Sequence, residues 1–75
     1  MADKFLDTRG LKCPLPVLKA RKALKAMPPQ SQLEVLATDP GSVSDFQELC
    51  NAAGHQLLET GEDDGVFRFL ICKTA

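Results

Sequence analysis

The residues with the clearest chemical potential lie together in Asp7-Thr8-Arg9-Gly10-Leu11-Lys12-Cys13-Pro14-Leu15-Pro16, where one thiol sits among two cations and two prolines. Proline is favoured at the first helical position, so Pro14 there makes Cys13 the N-cap of a helix. Pro14 and Pro16 also remove two of the backbone N–H groups that a helix start leaves unpaired, and they stiffen the turn, leaving the donors of Leu15 and Cys13 nearby. The positive helix end and the side chains of Arg9 and Lys12 then all favour a sulfur anion. Cysteines in such settings titrate at about 3.5 to 7.5 instead of about 8.5. A fall of about two units raises the thiolate share at pH 7 from about 3 per cent to about 75 per cent, turning an idle thiol into a nucleophile. The same field stabilises a persulfide anion, whose charge lies one sulfur further out. The plainer alternative is a small inert residue filling the joint between a strand and a helix. Inert burial does not account for cations and a helix terminus converging on one sulfur.

The other candidate groups are weaker. Cys50 lies on an apolar helical stripe and Cys72 follows Leu70 by the strand period of two, so both read as core, with a resolving-thiol role as the alternative. Three cysteines separated by 37 and 22 residues match neither a disulfide framework nor paired metal-ligand spacing, and no metal site is expected. His55, the single histidine, follows Gly54 at a turn, where it reads as exposed instead of serving Cys13 as a base. Without a visible base, Cys13 resembles the nucleophile of a transfer protein more than that of a hydrolase.

The elements that position this segment are cut out by Arg9-Gly10, Pro14 and Pro16, Pro28-Pro29, Asp39-Pro40-Gly41, Gly54 and Asp64-Gly65. Lys4 to Thr8 reads as a short strand. From Pro14 to Met27, Val17, Ala20, Leu24 and Met27 fall three, four and three apart, with Leu15, Leu18 and Ala23 widening the stripe, which predicts an amphipathic helix. Pro28-Pro29 ends it. Leu33 to Thr38 predicts a strand. A second helix follows with Asp39 as N-cap, or with Ser42 and Asp45 as a capping box; Phe46, Leu49, Cys50 and Ala53 form its apolar stripe and Gly54 its stop. Gln56 to Gly61 and Val66 to Lys73 predict two strands joined through Asp64-Gly65. The order βαβαββ implies an α/β two-layer sandwich: a mixed four-stranded sheet with two helices on one face. Each strand-helix-strand passage is expected to make parallel neighbours and the final hairpin an antiparallel pair. Glu34, Glu59 and Arg68 predict a partly wet opposite face.

Composition sets the limits. Seventy-five residues, 44% hydrophobic and 25% charged, suit one domain over residues 1–75, too small to enclose a large cofactor, so chemistry is expected near the surface and no cofactor is expected. No apolar run approaches a membrane span, and Met1-Ala2-Asp3-Lys4 opens polar and acidic instead of like a signal peptide, which predicts a cytoplasmic protein without membrane contact. The net charge of −1 hides an asymmetry: residues 1–27 carry a net +5 and residues 28–75 a net −6. The helix back formed by Lys19, Arg21, Lys22 and Lys25, beside Lys12, is either a solvated surface or a docking face for acidic partners.

The run Asp7-x-Arg9-Gly10-Leu11-x-Cys13-Pro14-x-Pro16 resembles the signature of the TusA/SirA-like sulfur-carrier family, and the likeness extends over the chain in length, in βαβαββ order and in Asp39-Pro40 opening the second helix. The resemblance implies that Cys13 accepts a sulfane sulfur as a persulfide from a donor protein, such as a cysteine desulfurase or a rhodanese, and passes it to an acceptor protein. Arg9, Gly10, Pro14 and Pro16 inherit membership of the motif. It also implies a place in tRNA thiolation or in cytoplasmic sulfur metabolism. Some members of the thiolation branch carry an acidic residue between the prolines, where this chain has Leu15.

Two other classes compete. A small RNA- or protein-binding module without thiol chemistry would use the basic face. The absence of tryptophan and tyrosine, and four phenylalanines (Phe5, Phe46, Phe67, Phe69) read mostly as core, speak against nucleic acid. A redox sensor would oxidise Cys13 to a sulfenic acid and resolve it with Cys50 or Cys72, which needs a second accessible thiol.

Overall fold

Leu33, Val35 and Ala37 alternate with Gln32, Glu34 and Leu36, and this period of two lets one strand bury a full row of side chains while its other row meets solvent. In the computed structural model, which describes residues 2–74, that strand lies within the series β1 (Lys4–Thr8), α1 (Leu15–Ala26), β2 (Gln32–Ala37), α2 (Ser42–Ala53), β3 (Gln56–Asp63) and β4 (Val66–Cys72). Met1 and Ala75, the ends of the domain read from the sequence, lie outside the described residues. The βαβαββ order and the mixed four-stranded sheet agree with the sequence expectation.

The sheet order is β1-β2-β4-β3. β1 runs parallel to β2, but β2 and β3 are not neighbours, which corrects the expectation of a second parallel pair. β4 inserts between them, antiparallel to both. The physical reason lies in Val66-Phe67-Arg68-Phe69-Leu70-Ile71-Cys72, the most apolar strand of the chain, which gains more from a central place than the acidic β3 would.

The two helices cover one face. Ala20, Leu24 and Met27 of α1 and its C-cap meet Phe46, Leu49 and Cys50 of α2 over Leu33, Val35, Ala37, Phe69 and Ile71 of the sheet. The Phe46 and Phe69 rings stack at its centre, with centroids 4.5 Å apart. Ala23 is buried as predicted, whereas Leu15 and Leu18 are 46% and 51% exposed and Ala53 is exposed, so both apolar stripes are narrower than their spacing suggested. Phe5 is 55% exposed and stands on the outer sheet face beside Glu34, not in the core. On that face Arg68 bridges Glu34 at 2.6 Å and Glu59 at 2.9 Å, linking β2, β4 and β3. Leu70 and Cys72 share the Arg68 row and are half-buried there; Cys72 is therefore not a core residue.

Turn chemistry closes the elements. Met27, held extended by Pro28, caps α1, and Gly54 in the left-handed region (φ 79°) caps α2. Asp64 and Gly65 both take positive φ, 53° and 81°, as a two-residue hairpin turn requires. The start of α2 departs from both expected caps. Gly41 is the N-cap, Ser42 is the first helical residue with its hydroxyl buried and unpaired, and Asp39 Oδ2 accepts from the Gly41 N–H at 3.1 Å.

Candidate functional site

Because β1 and β2 are parallel neighbours with Thr8 opposite Ala37, the segments leaving their carboxyl ends meet at one end of the sheet. One is the loop Arg9 to Pro14; the other is Thr38 to Gly41. The first begins with a tight turn. Leu11 N–H donates to Thr8 O at 3.2 Å with Gly10 at φ 85°, a value that favours glycine, and Gly10 N–H donates to Thr38 Oγ1 at 2.9 Å. The buried Thr8 hydroxyl donates to Leu36 O across the strands at 2.5 Å. The two loops are thus tied before either reaches its helix.

Cys13 is exposed, follows this turn and is joined to Pro14 by a cis peptide bond. The N-cap of α1 is Pro14, with Pro16 buried at the second helical position, so Cys13 stands one residue outside the cap it was expected to occupy. The Leu15 N–H, expected to be free for the sulfur, donates to Lys12 O at 2.8 Å.

The charges around the sulfur also differ from the expectation. Arg9 forks onto Asp7, with Nε at 2.9 Å from Oδ1 and the terminal nitrogen at 2.7 Å from Oδ2, while its backbone N–H meets Oδ1 at 3.0 Å. That pairing pulls the Asp7 carboxyl down to about 2 and spends the guanidinium locally. Lys12 is exposed. What does meet Cys13 is acid: its thiol donates a hydrogen bond to Asp45 Oδ2, from the first turns of α2. The bond to Asp45, partial desolvation, and the charges of Asp45 and Asp39 together push the thiol up from 9.0 to about 11. The expectation of a depressed Cys13 is corrected: two carboxylates disfavour a further negative charge beside them, and Arg9 is already paired with Asp7.

Gly41 lies against the thiol and Asp39. A Cβ placed on it would stand 3.0 Å from Asp39 Oδ2, 3.4 Å from Cys13 Cβ and 3.6 Å from Cys13 Sγ. Sequence reading missed Thr38, Asp39, Gly41 and Asp45 as site residues. The signal available was topological: two strand-to-helix loops of a parallel pair open at the same sheet end.

The remaining candidates lie elsewhere. Lys19, Arg21, Lys22 and Lys25 are all exposed on α1. Arg21 and Lys25 line a groove of about 290 Å³ between the helices together with His55 and Lys73, over Leu24 and Leu49. His55 Nδ1 accepts from the Thr74 N–H at 3.4 Å, which places it with that groove instead of with the thiol. Cys50 is buried, which pushes its thiol up, and Cys72 is half-buried on the outer sheet face. Among the described residues no helix is long and apolar enough to cross a membrane.

Comparison with known proteins follows the same segment. The family described as Sulfurtransferase TusA matches residues 4–73. A sulfur carrier protein TusA of Allochromatium vinosum is 50% identical over 72 residues, covering 96% of this chain and 95% of that protein. One of Pseudomonas putida is 40% identical over 73 residues, covering 97% and 91%. Among solved structures, the SirA-like protein from Desulfitobacterium hafniense superposes with a TM-score of 0.83 at 28% identity, over 96% of this chain and 99% of that one.

Proposed function

The chain belongs to the TusA sulfurtransferase family, and from that premise we propose that it is a protein sulfur carrier whose cargo is a persulfide on Cys13. The observation that supports Cys13 as the carrier is its exposure at the mouth of two helix starts, while Cys50 is buried in the core. The Cys13 sulfur attacks the terminal sulfur of a donor persulfide, such as that of a cysteine desulfurase or a rhodanese. The donor's S–S bond breaks, a new S–S bond forms on Cys13, and the Cys13 thiol proton ends on the departing donor sulfur. One sulfur atom moves and no external oxidant is consumed. An acceptor protein then takes the terminal sulfur in the same way. The protein is a sulfurtransferase in this broad sense, with the sulfur as covalent cargo and no resident cofactor.

The exposed cations Lys19, Arg21, Lys22 and Lys25 form a docking face for acidic partner surfaces, and the exposed Leu15 and Leu18 lie on the helix that begins beside Cys13. The cellular setting proposed is the cytoplasm, with tRNA thiolation or sulfur metabolism as the consuming process.

The test is intact-protein mass spectrometry of wild type and Cys13→Ser after incubation with a cysteine desulfurase, L-cysteine and pyridoxal phosphate. A reductant-sensitive gain of about 32 daltons, confined to wild type, is expected. An equal gain on Cys13→Ser moves the cargo to Cys50 or Cys72. No gain from this donor or from a rhodanese defeats the reading.

A further inference from the structure

The thiol assigned as carrier is held by an acid that nothing in the sulfur-transfer chemistry requires. Asp45 reaches Cys13 from α2, across 32 residues of sequence, and accepts a hydrogen bond from its thiol. Its local alternative, a capping bond at the start of α2, is not made: Gly41 is the cap, and no side chain caps that helix end. The carboxylate is therefore aimed at the sulfur. Gly41 lies beside the pair, where a Cβ would crowd Asp39 Oδ2 at 3.0 Å and touch Cys13 Sγ at 3.6 Å. The charged groups around the sulfur are Asp45 and Asp39 on the α2 side, with Lys12 beside it in its own loop and Arg9 consumed by Asp7.

We propose that Asp45 is a positioning residue that holds the Cys13 thiol protonated in the unloaded protein, so that the carrier sulfur is closed to small electrophiles and oxidants. A carboxylate accepting the S–H bond stabilises the thiol and opposes the thiolate, which is the species that alkylating agents and peroxides attack. Asp39, whose Oδ2 accepts from the Gly41 N–H, adds to this through its charge. The proposal rests on the carrier reading for its purpose, yet the hydrogen bond is independent of any sulfur donor, and so is its test.

The experiment is the pH profile of Cys13 alkylation by iodoacetamide, followed by peptide mass spectrometry so that Cys50 and Cys72 are read separately. In wild type the rate is expected to rise toward a midpoint near 11. In Asp45→Asn the midpoint falls by about one unit or more, and the rate at pH 8 rises about tenfold or more. Asp39→Asn gives a smaller rise. A wild-type midpoint below 9, an unchanged rate in Asp45→Asn, or a larger gain in Asp39→Asn than in Asp45→Asn overturns the proposal. The wild-type profile decides even where a variant folds poorly. Rapid alkylation of Asp45→Asn in a protein that takes up no sulfur would keep the masked thiol and discard the carrier.

Discussion

Gly41 and Cys13 approach so closely that a methyl group on the one would stand 3.6 Å from the sulfur of the other and 3.0 Å from the Asp39 carboxylate. The backbone at Gly41 is ordinary helical, φ −64°, so alanine carries no backbone strain there. Gly41→Ala is expected to leave stability within about 1 kcal/mol of wild type while slowing sulfur uptake on Cys13 several-fold. Paired urea melts and timed mass spectra check both halves. Unchanged uptake would show that the second sulfur has room the glycine does not provide.

Thr38 ties the thiol loop to the sheet through the Gly10 N–H. Thr38→Val keeps the shape of the side chain and removes the acceptor. The expected cost is about 0.5–1.5 kcal/mol, with slower sulfur transfer because the loop loses its anchor. Equal transfer rates would leave the bond with a purely structural part.

The Cys13 thiol titrates higher in the folded chain than its ordinary 9.0, at about 11. A group whose protonated form is favoured by folding adds stability that is full below about 9 and is lost as pH rises through about 11. The thermal stability of wild type should therefore fall relative to Cys13→Ser between pH 9 and 11 and run parallel to it below pH 8. Parallel curves throughout the alkaline range would mean that the Asp45 bond does not favour the folded state.

Phe46 is fully buried and stacked on Phe69. Phe46→Ala is expected to cost about 3–5 kcal/mol in a denaturant titration, a large part of the stability available to so small a domain. A loss below about 1 kcal/mol would require the helices to collapse over the gap.

Element order was legible because strong punctuation separates the elements: Pro28-Pro29, Gly54 and Asp64-Gly65 each stand where a helix or strand ends. Cys13 was legible for the same reason, as a thiol at a marked strand-to-helix joint. Its electrostatics were not. Arg9 looked available because its partner Asp7, two residues away, was read as part of a strand and not as an acceptor. Asp45 was hidden because its local pattern, Ser42-x-x-Asp45, also describes a capping box, and only the parallel pairing of β1 with β2 brings it to the sulfur. The place of β4 was written in its continuous apolar run, a mark of central strands that a hairpin-first reading passes over. Cys72 was misplaced because Leu70 is itself apolar on the solvent row, so the period of two could not say which row was inside.

The outer strands bear on how copies of the protein behave toward one another. β3 carries an irregularity between Leu57 and Glu59, with Leu58 as the extra residue, and its end is lined by Glu59, Glu62 and Asp63. A bulge bends the edge out of register, and like charges repel a second β3 brought alongside. β1, at the other edge, is only five residues long and begins with Lys4. Neither edge offers a long, flat, uncharged row of backbone groups to which the strand of a second copy could add.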